Sequence, residues 1–160
     1  MKYTLFFFLV FASLTMNAQK MPNVTLKDLD GKNVNVSSYN TSEKPVIISF
    51  WATWCGPCIK ELNAIKEVYP QWQKETGVEL VAISIDDVRT KARVKSQVKG
   101  KSWPYKILLD ENQELKRALN VANVPYTIIL HKGKVVFSHS SYTPGIENEM
   151  YAQLKKAVGK

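Results

Sequence analysis

The sequence of 160 residues carries 22 Lys and Arg against 14 Asp and Glu, a formal net charge of +8 at pH 7, and 45% of it is hydrophobic. This is one domain's worth of chain, long enough for a sizeable core. Two cysteines do not make a disulfide-stapled scaffold, and the positive balance comes without any nucleic-acid recognition motif, so nucleic acid is not an expected partner.

Residues 1–18 read as a secretory signal peptide. Lys2 supplies the positive start, Leu5 to Ala12 form an apolar core too short to span a bilayer, and Met16-Asn17-Ala18 ends in a small residue suited to cleavage. The expected division is a signal peptide over 1–18 and one domain over 19–160, exported and periplasmic. An uncleaved membrane anchor is the alternative. No cysteine follows the apolar core, which argues against a lipoprotein. Export places the cysteines where thiols tend to be oxidised. The core must then hold without bridges, leaving the pair free to cycle.

Met21 to Asn40 predicts a β-hairpin. Val24-Thr25-Leu26 and Val34-Asn35-Val36 alternate apolar and polar residues around Asp30-Gly31, a strong turn dipeptide. Pro45 to Trp51 (PVIISFW) is a continuous apolar run, the pattern of a central strand buried on both faces.

Next comes Trp54-Cys55-Gly56-Pro57-Cys58, then helical periodicity from about Pro57 to Lys74, with Ile59, Leu62, Ile65, Tyr69 and Trp72 spaced to face inward. Pro70 is expected to kink or split this helix near Tyr69. The order strand, cysteine pair, helix places Cys55 at a helix N-terminus, where unpaired N–H groups and the macrodipole favour an anion. That field lowers the thiol pKa and makes Cys55 nucleophilic near neutral pH. Pro57 suits the first helical turn, where its missing N–H costs nothing. Cys58, one turn along, can close a disulfide with Cys55. Two other readings stand beside a redox pair: half of a zinc site, and a purely structural bridge. A closed zinc site needs four ligands, and the chain adds only His131 and His139, far along it. A bridge over so short a loop constrains the unfolded chain little. The strand-to-helix junction in an alternating α/β pattern favours redox chemistry.

This motif resembles the active site of the thioredoxin superfamily. The wider stretch FWATWCGPCIKEL, Phe50 to Leu62, resembles the exported TlpA/ResA-like thiol–disulfide oxidoreductases within it. The resemblance runs from about Met21 to about Ala157. It implies that Cys55 attacks a substrate disulfide, that Cys58 resolves the mixed disulfide, and that no metal or organic cofactor is needed. Trp54 and Pro57 would shape the approach to Cys55, and Gly56 would let a partner backbone come close. Ser49 stands where cytosolic thioredoxins carry a buried aspartate that helps move protons. Glu61, three residues past Cys58, matches an acid that in ResA-like proteins tunes the protonation of the cysteines. A solvated glutamate on a helix surface is the competing reading. The N-terminal hairpin resembles one that covers a sheet edge in TlpA/ResA-like and peroxiredoxin-like chains.

Val78 to Asp86 (VELVAISID) reads as a second buried strand. Asp87 to Lys99 follows as a helical insertion, with Val88, Ala92, Val94 or Lys95, and Val98 as inward candidates. Much of the positive excess lies in Arg89 to Lys101, read as a solvated basic face; acidic partners or anionic surfaces are the lesser reading. Trp103-Pro104 reads as a loop anchor, with a place near the active site as the lesser reading; Lys106 to Leu109 reads as a short third strand or extended piece, and Glu111 to Leu119 as a short helix with Leu115, Ala118 and Leu119 inward. Pro125 precedes an apolar run, Thr127 to Leu130, and proline is tolerated at a strand start. Asn123 to Thr127 resembles the thioredoxin-family loop whose proline is cis and packs beside the cysteines. That implies backbone hydrogen bonds from Val124 to an extended substrate peptide, and a proline ring that excludes metal from the thiols. An ordinary trans proline is the other reading. Thr127 to Leu130 and Val135 to Phe137 form a hairpin across Lys132-Gly133. His131 and His139 are expected on solvent or the hairpin surface, without a catalytic role. After Pro144-Gly145, Ile146 to Val158 forms a closing helix with Met150, Leu154 and Val158 inward.

The expected fold is a single thioredoxin-like α/β domain: a mixed sheet of about four central strands, right-handed crossovers, helices on both faces, the N-terminal hairpin and the helical insertion. The expected reaction is thiol–disulfide exchange. Gly-Pro between the cysteines resembles reducing thioredoxins, which favours reduction. The implied partners are exported protein disulfides and a membrane electron donor, with the chain a monomer. Cytochrome c maturation is one family-level role, and broad housekeeping reduction fits as well. The alternatives are an oxidase or isomerase of exported proteins, and a non-enzymatic binding module using the Pro125 loop and the hairpin.

Overall fold

The computed structural model describes residues 20–160. The signal peptide expected over 1–18 lies outside the described residues. No helix among the described residues is long and apolar enough to cross a membrane.

The N-terminal hairpin forms as expected. β1 (Thr25–Asp28) and β2 (Asn33–Asn35) pair antiparallel, and Asp28 Oδ1 accepts from the N–H groups of Asp30 and Lys32 inside the turn. Gly31 supplies the left-handed backbone there, φ 83°. After a 3₁₀ turn over Val36–Thr41 comes β3 (Val46–Trp51), buried along its whole length. α1 (Gly56–Thr76) leads to β4 (Glu79–Ser84), α2 (Ala92–Lys101) to β5 (Lys106–Leu109), and α3 (Glu114–Ala118) to β6 (Tyr126–His131). β7 (Lys134–Ser140) and α4 (Ile146–Ala157) close the chain.

The strands form one sheet in the order β2-β1-β5-β4-β3-β6-β7. β3, β4 and β5 run parallel, which requires the crossovers that α1 and α2 supply; β6 is antiparallel to β3. β5-β4-β3-β6 is the expected central sheet. β1 pairs antiparallel with β5, so the N-terminal hairpin covers that edge. α1 packs on α4, where the Trp72 and Tyr151 rings stack at 5.9 Å. Ile47, Ile48, Phe50, Leu62, Ile65, Leu80 and Ile83 are fully buried, each contributing about 1.5–3 kcal/mol. This core holds the cysteine loop from below.

Several expectations are corrected. α1 runs unbroken through Pro70. A proline inside a helix costs about 3 kcal/mol, but buried aromatics hold the helix on both sides of it. Tyr69 accepts from Leu80 N–H and packs edge-on to Tyr105, and Trp72 stacks on Tyr151. α2 begins at Ala92, because Asp87 holds the preceding residues in a turn by accepting from Arg89 and Thr90 N–H groups. Its inward residues are Val94 and Val98; Val88 and Ala92 are exposed. Ala118 is also exposed, and Val158 is half-buried.

Candidate active site

β3 ends at Trp51 and the chain turns sharply toward α1. A buried acid holds the turn. Asp86, just past β4, accepts from Thr53 N–H at 2.9 Å, from Thr53 Oγ1 at 2.6 Å and from Ser84 Oγ at 2.8 Å. It is fully buried, so these bonds are what make its burial tolerable. Sequence reading did not single out Asp86; an acid closing an otherwise apolar strand was the available signal.

Cys55 is the N-cap of α1, and its Sγ accepts from the Cys58 N–H at 3.3 Å. Pro57 lies in the first turn, where no intrahelical donor is required. Cys55 and Cys58 form a disulfide, with Cα atoms 5.3 Å apart. Cys58 is 1% exposed and Cys55 is 5% exposed, whereas Trp54 beside them is 61% exposed. A side chain added at Gly56 would meet nothing within 4 Å, so the approach over the pair is open.

Pro125 is buried, half-buried Val124 precedes it, and the bond between them is cis. Antiparallel register sets Tyr126 opposite Phe50, which brings the start of β6 beside the end of β3, where the cysteine loop departs.

Glu61 is fully buried, which removes the solvated reading. It lies one turn beyond Cys58 on the same side of α1. Thr127 Oγ1 lies 2.6 Å from Glu61 Oε1 and 3.0 Å from Ser49 Oγ. His139 Nε2 lies 2.9 Å from Glu61 Oε2. Ser49, Thr127 and His139 are register partners across β3, β6 and β7, so one row of polar side chains spans three strands and meets the helix acid. The acid is supplied from α1, while Ser49 occupies the sheet position.

His139 corrects the expectation that it faces solvent: its side chain is 9% exposed. β7 alternates, with Val135, Phe137 and His139 partly buried and Val136, Ser138 and Ser140 exposed. That period-2 pattern was the missed signal. Among the described residues, the His131 ring bonds the Glu43 backbone oxygen, at 3.2 Å. Trp103 is a loop anchor, edge-on to Trp51 and donating to Asn63 Oδ1 at 2.8 Å.

Residues 18–139 match the AhpC/TSA family. The chain belongs to that family. It is similar to thiol-disulfide oxidoreductase ResA of Bacillus anthracis, 34% identical over 119 residues, covering 74% of this chain and 66% of that one. ResA of Bacillus subtilis is 33% identical over 116 residues, covering 72% and 62%. The chain thus spans less than two thirds of the length of these relatives. An uncharacterized thioredoxin-like protein from Porphyromonas gingivalis has the same fold, with TM-score 0.77 and 44% identity over 87% of this chain and 92% of that one. StoA of Bacillus subtilis, 21% identical with TM-score 0.63 over 82% and 99%, adds to the likeness of fold alone. The family's thioredoxin-like fold is the one described above.

Proposed function

We propose that this chain is a thiol–disulfide oxidoreductase that reduces disulfides of exported proteins. The observation that carries the reading is Cys55 Sγ at the N-cap of α1, facing the Cys58 N–H, with its disulfide partner one turn along. The helix terminus favours a Cys55 thiolate. The thiolate attacks one sulfur of a substrate disulfide, the substrate bond breaks, and one substrate thiolate leaves. Cys58 gives up its proton to Glu61 and attacks Cys55 Sγ. The second substrate thiolate then leaves with its electron pair. The substrate disulfide has gained two electrons, and Cys55–Cys58 has lost them.

Val124 offers the backbone hydrogen bonds to an extended substrate segment, since Pro125 has no N–H; exposed Trp54 and open Gly56 border its path. Residues 1–18 support export, and cycling requires an electron donor at the membrane. No metal or organic cofactor enters this scheme, and the working unit is a monomer.

The test is Cys58→Ser with a disulfide-bonded protein such as insulin. A reducible adduct through Cys55 is expected; partner binding without a covalent link would replace this reading with that of a binding module. Direction is read from the reduction potential against glutathione. A value near about −270 mV supports a reductase, and one near about −120 mV an oxidase.

A further inference from the structure

The buried imidazole beside Glu61 has no part in the scheme so far. Glu61 accepts on both oxygens, from Thr127 and from His139 Nε2, when it is ionised and the ring carries its proton on Nε2. In that neutral tautomer, His139 Nδ1 is a basic site without a hydrogen-bond partner, buried among the described residues. Buried polar atoms are almost always paired, so an orphan nitrogen on a ring bonded to Glu61 asks for a function. The ring is held in place by strand register with Thr127 and by Phe137, 5.7 Å away.

The surrounding groups leave His139 as the partner that can change charge. β3 and β6 bring only the hydroxyls of Ser49 and Thr127 to this row. α1 brings Glu61, one turn past Cys58. Tyr142, just past β7, stays protonated, because burial first, then the Glu147 and Glu61 carboxylates, push its hydroxyl up. His131, at the far end of β6, bonds Glu43. Among the described residues, no Lys or Arg forms an ion pair with Glu61.

We propose that His139 is a positioning residue that aims Glu61 at Cys58 and, by gaining or losing the Nδ1 proton, sets how readily Glu61 takes the Cys58 proton during resolution. With His139 neutral, Glu61 is a carboxylate held by two neutral donors and is free to act as base. With His139 cationic, the charge pair stabilises the carboxylate and weakens it as a base. Protonation of His139 therefore slows resolution, a step separate from the first attack, which depends on the ionisation of Cys55 itself. The proton taken by Glu61 passes on to the departing substrate thiolate or to water, so no further reactant is needed.

This deepens the exchange reading and rests on it. The test uses the full chain, reduced, mixed with 5,5′-dithiobis(2-nitrobenzoate). Cys55 attack releases the first thionitrobenzoate, and Cys58 resolution releases the second. As pH rises the second phase, relative to the first, is expected to climb through a transition that is absent in His139→Gln, whose amide keeps a neutral donor on Glu61 at every pH. In parallel, ring NMR titrations follow His139 in the oxidised protein and after chemical reduction. The His139 curve is expected to move on reduction, the His131 curve to stay, and the movement to vanish in Glu61→Gln. A His139 curve identical in both redox states, or a second phase in His139→Gln with the wild-type pH profile, overturns the proposal. Should the variants not fold, the wild-type titration decides alone. Absence of both phases in wild type would sink the exchange reading instead, while the titration still reports on the coupling.

Discussion

Thr127 Oγ1 lies 2.6 Å from Glu61 Oε1 and 3.0 Å from Ser49 Oγ, so a single hydroxyl joins the centre of the sheet to the acid of α1. When Glu61 is ionised it only accepts, so Thr127 then donates to it and accepts the Ser49 proton. Thr127→Val keeps the shape and removes both bonds, leaving a buried serine hydroxyl and a carboxylate oxygen unmet. The expected loss is about 2 kcal/mol in urea unfolding of the oxidised protein. Ser49→Ala leaves the bond to Glu61 intact and should cost no more than about 1 kcal/mol. Equal losses would mean that the chain of donors does not run this way.

Asp86 supports the redox loop from the opposite side. Asp86→Ala strands the N–H and hydroxyl of half-buried Thr53 and the donor of the fully buried Ser84 hydroxyl. About 3 kcal/mol of stability should go with it. Because Thr53 lies two residues before Cys55, alkylation of reduced Cys55 should slow as the N-cap geometry loosens. Unchanged alkylation kinetics would assign Asp86 to stability alone.

Much of this architecture was legible because its signals are local. The apolar run of β3, the Cys-Gly-Pro-Cys step into α1 and the Asp30-Gly31 turn each show within a few residues. The partners of Glu61 do not. His139 is 78 residues from Glu61 in sequence, and the two meet only because the register of β3, β6 and β7 aligns Ser49, Thr127 and His139. The alternation of β7 placed His139 inward, but its partner could not be read from that strand. Pro70 misled for a related reason: its local cost is offset by Tyr69 and Trp72 contacts to distant strand and helix residues.

Gly133 shows how tightly the far end of the sheet is fitted. It has φ +72°, and a Cβ there would lie 2.8 Å from the backbone oxygen of Asn40. Asn40 cannot easily withdraw, since its side chain both accepts from and donates to the Met21 backbone. Gly133→Ala therefore meets left-handed strain of about 1–2 kcal/mol plus a backbone clash. A fall in thermal midpoint is expected with the rate of exchange on folded protein unchanged. A midpoint equal to wild type would show that the hairpin tip can move away from Asn40.

The contact between α1 and α4 predicts a window of pH dependence. The Tyr151 hydroxyl donates to Glu75 Oε2 and accepts from Gln71 Nε2. The bond from Tyr151 is the main cause holding the Glu75 carboxyl below its usual 4.5. The same bond is the main cause raising Tyr151 above its usual 10.0. A depressed glutamate stabilises the fold above its unfolded value, and that contribution disappears as pH falls through the folded value. A raised tyrosine stabilises below its unfolded value, and that contribution disappears as pH rises through the folded one. Tyr151→Phe keeps the ring stacked on Trp72 and deletes only the hydroxyl. Its thermal midpoint should fall short of wild type near neutral pH, and the gap should close as acid protonates Glu75. A gap of constant size from acid to neutral pH would show that the hydroxyl acts through packing and not through its bond to the carboxylate.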